Sequence, residues 1–575
     1  MTSPGDMHVL LRAFCDELAR CGMTDACTAP GSRSAPLLLA LAREPGLRTW
    51  SHVDERCAGF FALGLAKETG RPVAVATTSG TAAAELFPAV HEAREARVPL
   101  LVLTADRPPE LREVGAGQTI DQIGLYGRAA KWFFEVGDHP ATPERLGWMR
   151  ALACRAYWAT GTGRAGVVHL NFPLREPLVP TGPLPGDESG RPGGAPWIAR
   201  PGPADRLPEP VTLARVVELV ERRPRGAIVC GRWEGSRELG LAAAGLSETA
   251  GYPVLADPLS WGRLEGTAVA HYDALLRDQR FTAAHAPELV IRVGDLPTSK
   301  PLRAWLAAAS GSEQLALAPD GVFQDPDMAV STVLDADAAV VLAELNERLK
   351  RAPDAAWVAA WREADDTASQ AIDQVLEGEL SEPWVARELG RRLPADATLF
   401  VASSMPVRDA ETFFPARADP PRVLGNRGAN GIDGTVSSAF GAAARAPGPT
   451  VLLTGDVALA HDVGGLLGAS RLGLKLTIVL LNNQGGGIFH FLPVAGESDV
   501  FEEHVATPTG LDFARVAAAY ECQLHRIADA AEFTSGLEEA LAAPTTTILE
   551  VRTDRADNLE LHHRVWDAVA AALRR

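Results

Sequence analysis

The chain has 575 residues, 46% hydrophobic and 22% charged, with a formal net charge of −18 and a pI near 5.3. That length predicts three to four domains at ~150 residues each. The acidic balance argues against a nucleic-acid binder, which needs Lys and Arg surfaces against phosphate. No uncharged apolar run reaches the ~20 residues of a membrane span, and the start lacks the basic and apolar pattern of a signal peptide. The seven cysteines (Cys15, Cys21, Cys27, Cys57, Cys154, Cys230 and Cys522) contain no C-x-x-C pair. Reduced thiols and a soluble cytoplasmic protein are the expectation.

Along the chain, "APGSRSAPLLLAL" places Arg33 in a turn ahead of a helix begun near Pro36. "SHVDERCAGFFALGLAKETG" sets Asp54, Glu55 and Arg56 at the mouth of a helix of small and apolar residues. An acid such as Asp54 suits a helix start through the helix dipole, and Arg56 is expected to pair with a neighbouring acid. "PVAVATT" reads as a strand, "GTAAAELFPAVHEAREA" as one helix, and "VPLLVLTAD" as a strand delivering Arg107. Pro and Gly dominate residues 181–210, an extended linker. "GAIVCG" and "ELVIRVG" are strands of a middle block, 211–350. A polar, Ala-rich stretch within 351–379 reads as a connecting helix. The last block, 380–575, holds the strands "TLFVASS", "TVLLTGD" and "KLTIVLLNN", with "HDVGGLLGASRL" as a helix between the last two. Apolar strands alternating with helices predict parallel pairing, so all three blocks, 1–180 included, read as open α/β domains with parallel sheets. The first and last blocks share a strand–turn–helix–strand layout.

In such sheets ligands sit beyond the carboxyl ends of the strands. Asp456 ends one strand of the last block, and Asn482-Asn483 end the next. An Asp and an Asn at adjacent strand ends, with the backbone carbonyl of Gly485, offer three oxygens to a hard cation. Mg²⁺ takes few protein ligands and completes its octahedron with phosphate and water. The run Gly485-Gly486-Gly487 permits close backbone approach. Either motif alone is also an ordinary turn; it is their pairing at successive strand ends that points to a site.

This pattern resembles the Gly-Asp…Asn-Asn signature of thiamine-diphosphate enzymes. The segments "APGSRSAPLLLAL", "TADRPPEL", "GAGQTIDQ", "NRGANGIDGT" and "NNQGGGIFHFLP" are similar to one branch of them, the MenD family. These are the 2-succinyl-5-enolpyruvyl-6-hydroxy-3-cyclohexene-1-carboxylate synthases of menaquinone biosynthesis. The resemblance covers essentially the whole chain. It implies three open parallel-sheet domains of the thiamine-diphosphate-enzyme type: pyrimidine-binding, central Rossmann-like and diphosphate-binding. It implies thiamine diphosphate and Mg²⁺, with Mn²⁺ as a substitute, the metal being held by Asp456, Asn483 and Gly485. The wider superfamily has Gly after the Asp, where this chain has Val457; Val457 and Ala458 are expected beside the cofactor.

The implied reaction is a transferase reaction: decarboxylation of 2-oxoglutarate and conjugate addition of the succinyl unit to isochorismate. Glu55 would be the catalytic acid, hydrogen-bonded to the cofactor's aminopyrimidine. Ile432 would wedge the cofactor into a bent conformer, although as an apolar residue it also reads as core. Both substrates are dicarboxylates, which Arg forks suit. Ser32, Arg33, Arg107 and Gln118 would face isochorismate. Ser404, Arg408 and Arg427 would hold the succinyl carboxylate, with Ile488, Phe489 and Leu492 as an apolar wall; Ser404 and Ile488 would also touch the cofactor. A basic pair is expected in the middle block, where Lys300 matches but Pro301 interrupts it, leaving Arg303 open. His52, His461 and His490 match no family proton donor and read as lining or structure. In the family, Glu55 and the diphosphate site come from different subunits, which implies a homodimer or a dimer of dimers.

Two rival readings stand beside this one. Another thiamine-diphosphate carboligase or 2-oxo acid decarboxylase would handle less charged substrates, against four arginines. A non-catalytic nucleotide-binding protein would carry a G-x-G-x-x-G turn, and the sequence has none between a strand and a helix.

Overall fold

The computed structural model describes residues 5–187, 189–202, 205–309, 311–319 and 321–575. They contain three six-stranded sheets in which every strand pairing is parallel. The first comprises β1 (Asp25–Thr28), β2 (Arg48–Ser51), β3 (Val73–Thr77), β4 (Leu100–Asp106), β5 (Ala130–Glu135) and β6 (Val167–Pro173). Its order is β2-β1-β3-β4-β6-β5. β4 and β6 are buried along their whole length, the burial on both faces that their unbroken apolar sequences demand.

The second sheet comprises β7 (Gly226–Cys230), β8 (Val254–Ala256), β9 (Ala268–Val269), β10 (Leu289–Val293), β11 (Glu313–Leu317) and β12 (Thr332–Leu334). Its order, β12-β11-β10-β7-β8-β9, is that of the doubly wound dinucleotide-binding fold. The third comprises β13 (Thr398–Val401), β14 (Arg422–Leu424), β15 (Thr450–Gly455), β16 (Thr477–Asn482), β17 (Gln523–Ile527) and β18 (Thr547–Arg552). Its order is β14-β13-β15-β16-β18-β17. Counted from each sheet's first strand, the first and third sheets have the same order.

The chain divides into two compact units. One holds Met1–Pro203, Asn426–Ala446 and His461–Leu474, and with them the first sheet. The other holds Ala204–Gly425, Pro447–Ala460 and Lys475–Arg575, and with them the second and third sheets. In this second unit the helix Ala355–Leu376 buries Trp357 and Trp361, and Trp357 donates to the Gly226 carbonyl at 2.8 Å.

In the first unit, the helix Glu55–Thr69 begins at Asp54, whose carboxylate accepts the Arg56 N–H at 2.8 Å. It ends at Gly70 in the left-handed conformation (φ 65°), a C-terminal geometry that glycine adopts without strain. Nearly all of it is buried, partly against the helix Thr435–Ala443 of the same unit. Glycines make this approach possible. A Cβ on Gly64 would lie 1.9 Å from the Ser438 carbonyl oxygen, and one on Gly441 2.1 Å from that of Phe61.

Two helices expected as single elements are interrupted. "GTAAAELFPAVHEAREA" forms Thr81–Ala84 and Phe87–Ala96, because Pro88 has no N–H to carry a helix through and is tolerated only in a first turn. "HDVGGLLGASRL" forms a 3₁₀ turn, Val463–Leu466, and a short helix, Leu467–Ser470. Gly464 and Gly465 weaken it, and a Cβ on Gly465 would meet the Ser437 nitrogen at 2.8 Å. Among the described residues, no helix is long and apolar enough to cross a membrane.

Candidate active site

The third sheet brings the expected metal-binding residues to neighbouring strand ends. β15 pairs with β16, Gly455 opposite Leu481, so Asp456 and Asn483 leave adjacent strands on the same edge. Both are buried. Asp456 Oδ2 and Asn483 Oδ1 are each buried without a hydrogen-bond partner, whereas nearly all buried polar atoms have one. Burial pushes the Asp456 carboxyl up to about 6, against the backbone N–H groups of Val457 and Gly485 and the charge of Arg555. Gly485 has φ 145°, and a Cβ there would meet the Ala506 carbonyl oxygen at 2.7 Å and Arg555 Nη1 at 3.0 Å. Its own carbonyl accepts Gly487 N–H at 2.9 Å and keeps a second lone pair.

The two asparagines are held by two glutamates. Asn482 Nδ2 donates to Glu550 Oε1 at 2.7 Å, and Asn483 Nδ2 to Glu382 Oε1 at 2.9 Å. Burial, with Asp409 nearby, pushes Glu382 up to about 7 despite its bonds from Asn483 and Thr553.

In the same unit, a cavity of about 600 Å³ gathers Lys300, Arg408, Ile488 and Leu492, with Met405, Phe491 and His562 on its wall. Ser404, at φ 79°, precedes the helix Met405–Phe413, and its carbonyl accepts Arg408 Nη1 at 2.6 Å. Arg408 thus rides the first turn of that helix. Burial lowers its pKa, against the charges of Asp409 and Asp273. Lys300 begins the helix Lys300–Ala308; Arg303 is not among the described residues lining the cavity. Phe489 rests on Gly486, where a Cβ would meet its ring at 2.6 Å, and Phe491 lines the cavity. His490 also lines it and packs edge-on against Phe501. His562 Nε2 lies 2.9 Å from the buried Asp409 Oδ1; that carboxylate outweighs burial and raises the imidazole pKa.

In the first unit a second group forms at the ends of β3 and β4. Ser79 is fully buried. Arg107 Nη1 donates to Ser79 Oγ, which itself donates to the Gln118 carbonyl at 3.2 Å. Gln118 Nε2 returns a bond to the Ser79 carbonyl at 3.0 Å. Arg33, beside Ser32, is buried with Nη1 on the Leu174 carbonyl at 2.8 Å. Burial and then the Arg33 charge lower the Arg107 pKa, so two guanidinium groups face one another's field here. Glu55 opens its helix half-buried. Burial, with Asp54 and Glu85 adding to it, raises its carboxyl pKa against its own backbone N–H. Arg56 pairs with Asp54 at 2.8 Å. His52 is buried against Phe61, and burial takes it down to about 4. Ile432 is half-buried, its carbonyl accepting Thr435 Oγ1 at 2.8 Å. In the Arg427 loop, Gly428 and Ala429 N–H groups donate to Glu92 at 2.8 and 2.6 Å.

Three family models of thiamine pyrophosphate enzymes match consecutive parts of the chain. They are the N-terminal TPP-binding domain over residues 9–125, the middle domain over 196–401 and the C-terminal TPP-binding domain over 405–551. Full-length relatives agree. The 2-succinyl-5-enolpyruvyl-6-hydroxy-3-cyclohexene-1-carboxylate synthase of Chloroflexus aurantiacus is 44% identical, over 98% of this chain and 96% of its own. That of Myxococcus xanthus is also 44% identical, over 100% and 99%, and that of Geobacillus kaustophilus 44%, over 98% and 98%. The chain belongs to this synthase family.

As a member of a thiamine-pyrophosphate synthase family, it needs a cradle for the cofactor's diphosphate, and the residues present would fit a metal ion that holds it. The unpartnered oxygens of Asp456 and Asn483 are the hard donors that Mg²⁺ prefers. The Gly485–Gly487 backbone is too close to its surroundings for side chains. Four residues that the fold gathers with the expected ones were not singled out in the sequence. Ser79 carries a weak signal, its place just past the end of β3. Phe491 lies within the "NNQGGGIFHFLP" segment, beside the residues expected as an apolar wall. Glu382 and His562 carry no signal, because long-range contacts alone bring them to Asn483 and Asp409.

Proposed function

We propose that the chain catalyses the thiamine-diphosphate-dependent decarboxylation of 2-oxoglutarate and the conjugate addition of the succinyl unit to isochorismate. The product is 2-succinyl-5-enolpyruvyl-6-hydroxy-3-cyclohexene-1-carboxylate, for menaquinone biosynthesis, made in the cytoplasm. The observation that carries the reading is the pair of unpartnered oxygens, Asp456 Oδ2 and Asn483 Oδ1, buried at neighbouring strand ends of a chain in this family. Asp456, Asn483 and the Gly485 carbonyl hold Mg²⁺, or Mn²⁺ in its place, with Val457 and Ala458 alongside.

When bound, the cofactor supplies an electron sink for loss of carbon dioxide from a 2-oxo acid. Glu55 holds and moves a proton at its carboxyl group, which its raised pKa suits. Arg408, with Lys300 in the same cavity, binds the substrate carboxylate together with Ser404 and Arg427. Ile488, Leu492 and Phe491 keep water from the reacting carbon. Arg33, which also lies 3.7 Å from Glu176, and Arg107 orient the second dicarboxylate with Ser32 and Gln118. Glu55 and Asp456 act on one cofactor from two copies of the chain, so the working unit is a homodimer or a dimer of dimers, and Ile432 shapes the cofactor. The domain roles follow: residues 1–180 bind the pyrimidine, 211–350 form the central domain and 380–575 bind the diphosphate.

The test is product analysis. With thiamine diphosphate, Mg²⁺ and 2-oxoglutarate, the purified protein releases carbon dioxide and forms the succinyl adduct when isochorismate is added. Turnover of 2-oxoglutarate to a simple aldehyde, with no isochorismate adduct, would move the chain to a decarboxylase.

A further inference from the structure

An asparagine can ligate a cation only through its amide oxygen, yet its two amide atoms are almost the same size and shape. Something must decide which of them faces the site. Asn483 Nδ2 donates to Glu382 Oε1 at 2.9 Å, and Thr553 Oγ1 donates to the same oxygen at 2.8 Å. Glu382 is 1% exposed and opens the helix Glu382–Arg392, which precedes β13. Oε1 receives two donors, so it is the acceptor oxygen whether or not Oε2 carries a proton. The reversed amide would put the Asn483 oxygen against the glutamate oxygen and turn an N–H₂ toward the cation. The observed orientation leaves Asn483 Oδ1 buried and unpartnered.

From this geometry we propose that Glu382 is a positioning residue for the metal site: it locks the Asn483 amide so that its oxygen, not its nitrogen, faces the cation, with Thr553 fixing the glutamate in turn. The proposal rests on the assignment of Asp456 and Asn483 as metal ligands. It extends that assignment to a residue outside the Gly-Asp…Asn-Asn segment. Partners that orient a metal ligand typically account for ~10–100-fold in metal affinity.

The test uses full-length protein with thiamine diphosphate and Mn²⁺, the free ion being read by its electron paramagnetic resonance signal. Glu382→Leu is expected to weaken Mn²⁺ binding ~10–100-fold, while Glu382→Gln, whose amide oxygen still accepts from Asn483, stays within a few-fold of wild type. A second, nearly isosteric arm avoids any folding defect of Glu382→Leu. Asn483→Asp sets a carboxylate against Glu382 and should bind Mn²⁺ weakly. The double variant Asn483→Asp with Glu382→Gln can donate Gln N–H to the new carboxylate and should recover at least ~10-fold. Wild-type affinity in Glu382→Leu, or no recovery in the double variant, overturns the proposal. Asp456→Ala runs alongside. If it keeps wild-type affinity, the metal site itself is misassigned and the proposal falls with it; if it alone loses affinity, only the role of Glu382 fails.

Discussion

The first and third sheets thread six parallel strands in the same order, β2-β1-β3-β4-β6-β5 and β14-β13-β15-β16-β18-β17. At corresponding strand ends they present opposite chemistry. Past β3 and β4 stand Ser79 and Arg107, with Arg33 close enough to depress the Arg107 pKa. Past β15 and β16 stand Asp456 and Asn483, each with an unpartnered oxygen. One edge gathers guanidinium groups and the other buried, unpartnered oxygens. The scaffold supplies the position, and the residues placed there supply the function.

The largest expected effect belongs to Glu55, whose proposed role on the first sheet's side is proton chemistry rather than charge binding. Glu55→Gln should leave the far-ultraviolet circular dichroism and melting temperature unchanged while turnover falls roughly 10²–10⁴-fold. Near-wild-type turnover would reduce the first sheet's contribution to its cations. Next comes the third sheet. With Mg²⁺ and thiamine diphosphate at ~100 times the dissociation constant, ligand stabilisation amounts to about 2.7 kcal/mol. Asp456→Ala should abolish that thermal shift, and an unchanged shift would remove the cation from this edge.

A third test separates two buried aspartates that burial holds alike, at about 6. Asp462, unlike Asp456, is saturated by protein donors: Ser437 N–H at 2.7 Å, Ser437 Oγ at 3.0 Å and Cys57 Sγ at 3.8 Å. Its folded pKa lies above the unfolded value, so between about pH 4 and 6 the folded chain binds the extra proton. Its contribution to stability therefore falls as pH rises through that window. Asp462→Asn should flatten this, changing the stability difference from wild type between pH 4.5 and 7 by on the order of 2 kcal/mol. Melting curves at the two pH values check it; parallel curves would show that Asp462 is already ionised at pH 4.5. Last, Arg56→Ala should cost no more than ~0.5 kcal/mol by thermal melting, because its pair with Asp54 is exposed. A larger loss would give Arg56 a part in holding Glu55.

Much of this arrangement is legible in the sequence. Strands buried on both faces are written as apolar runs, and their polar ends mark the edge where ligands sit. Asp456, Asn483 and Arg107 were singled out that way, and Arg33 by its turn ahead of a helix start. Arg56 was expected to pair with a neighbouring acid, and it does. Helix continuity was less legible. The apolar periodicity of residues 80–96 continues across Pro88, and the break comes from a missing N–H rather than from any change of pattern. The shared strand order of the first and third sheets appears only as a repeated layout in sequence. Glu382 was invisible because its meaning lies in a hydrogen bond spanning 101 positions to Asn483. Ser79 needed the fold to bring Gln118 and Arg107 onto it.

The contact between the helices Glu55–Thr69 and Thr435–Ala443 is keyed rather than merely packed. Gly64 and Gly441 each meet the other helix's backbone where a methyl group would overlap a carbonyl oxygen. Sliding by one residue, about 1.5 Å along the axis, would bring a side chain against that oxygen, so the two backbones have one register. The position of the Glu55 carboxyl along its helix axis is therefore gauged by a glycine hydrogen about two and a half turns away. Substitutions at either glycine would blunt the reaction without touching an active-site residue.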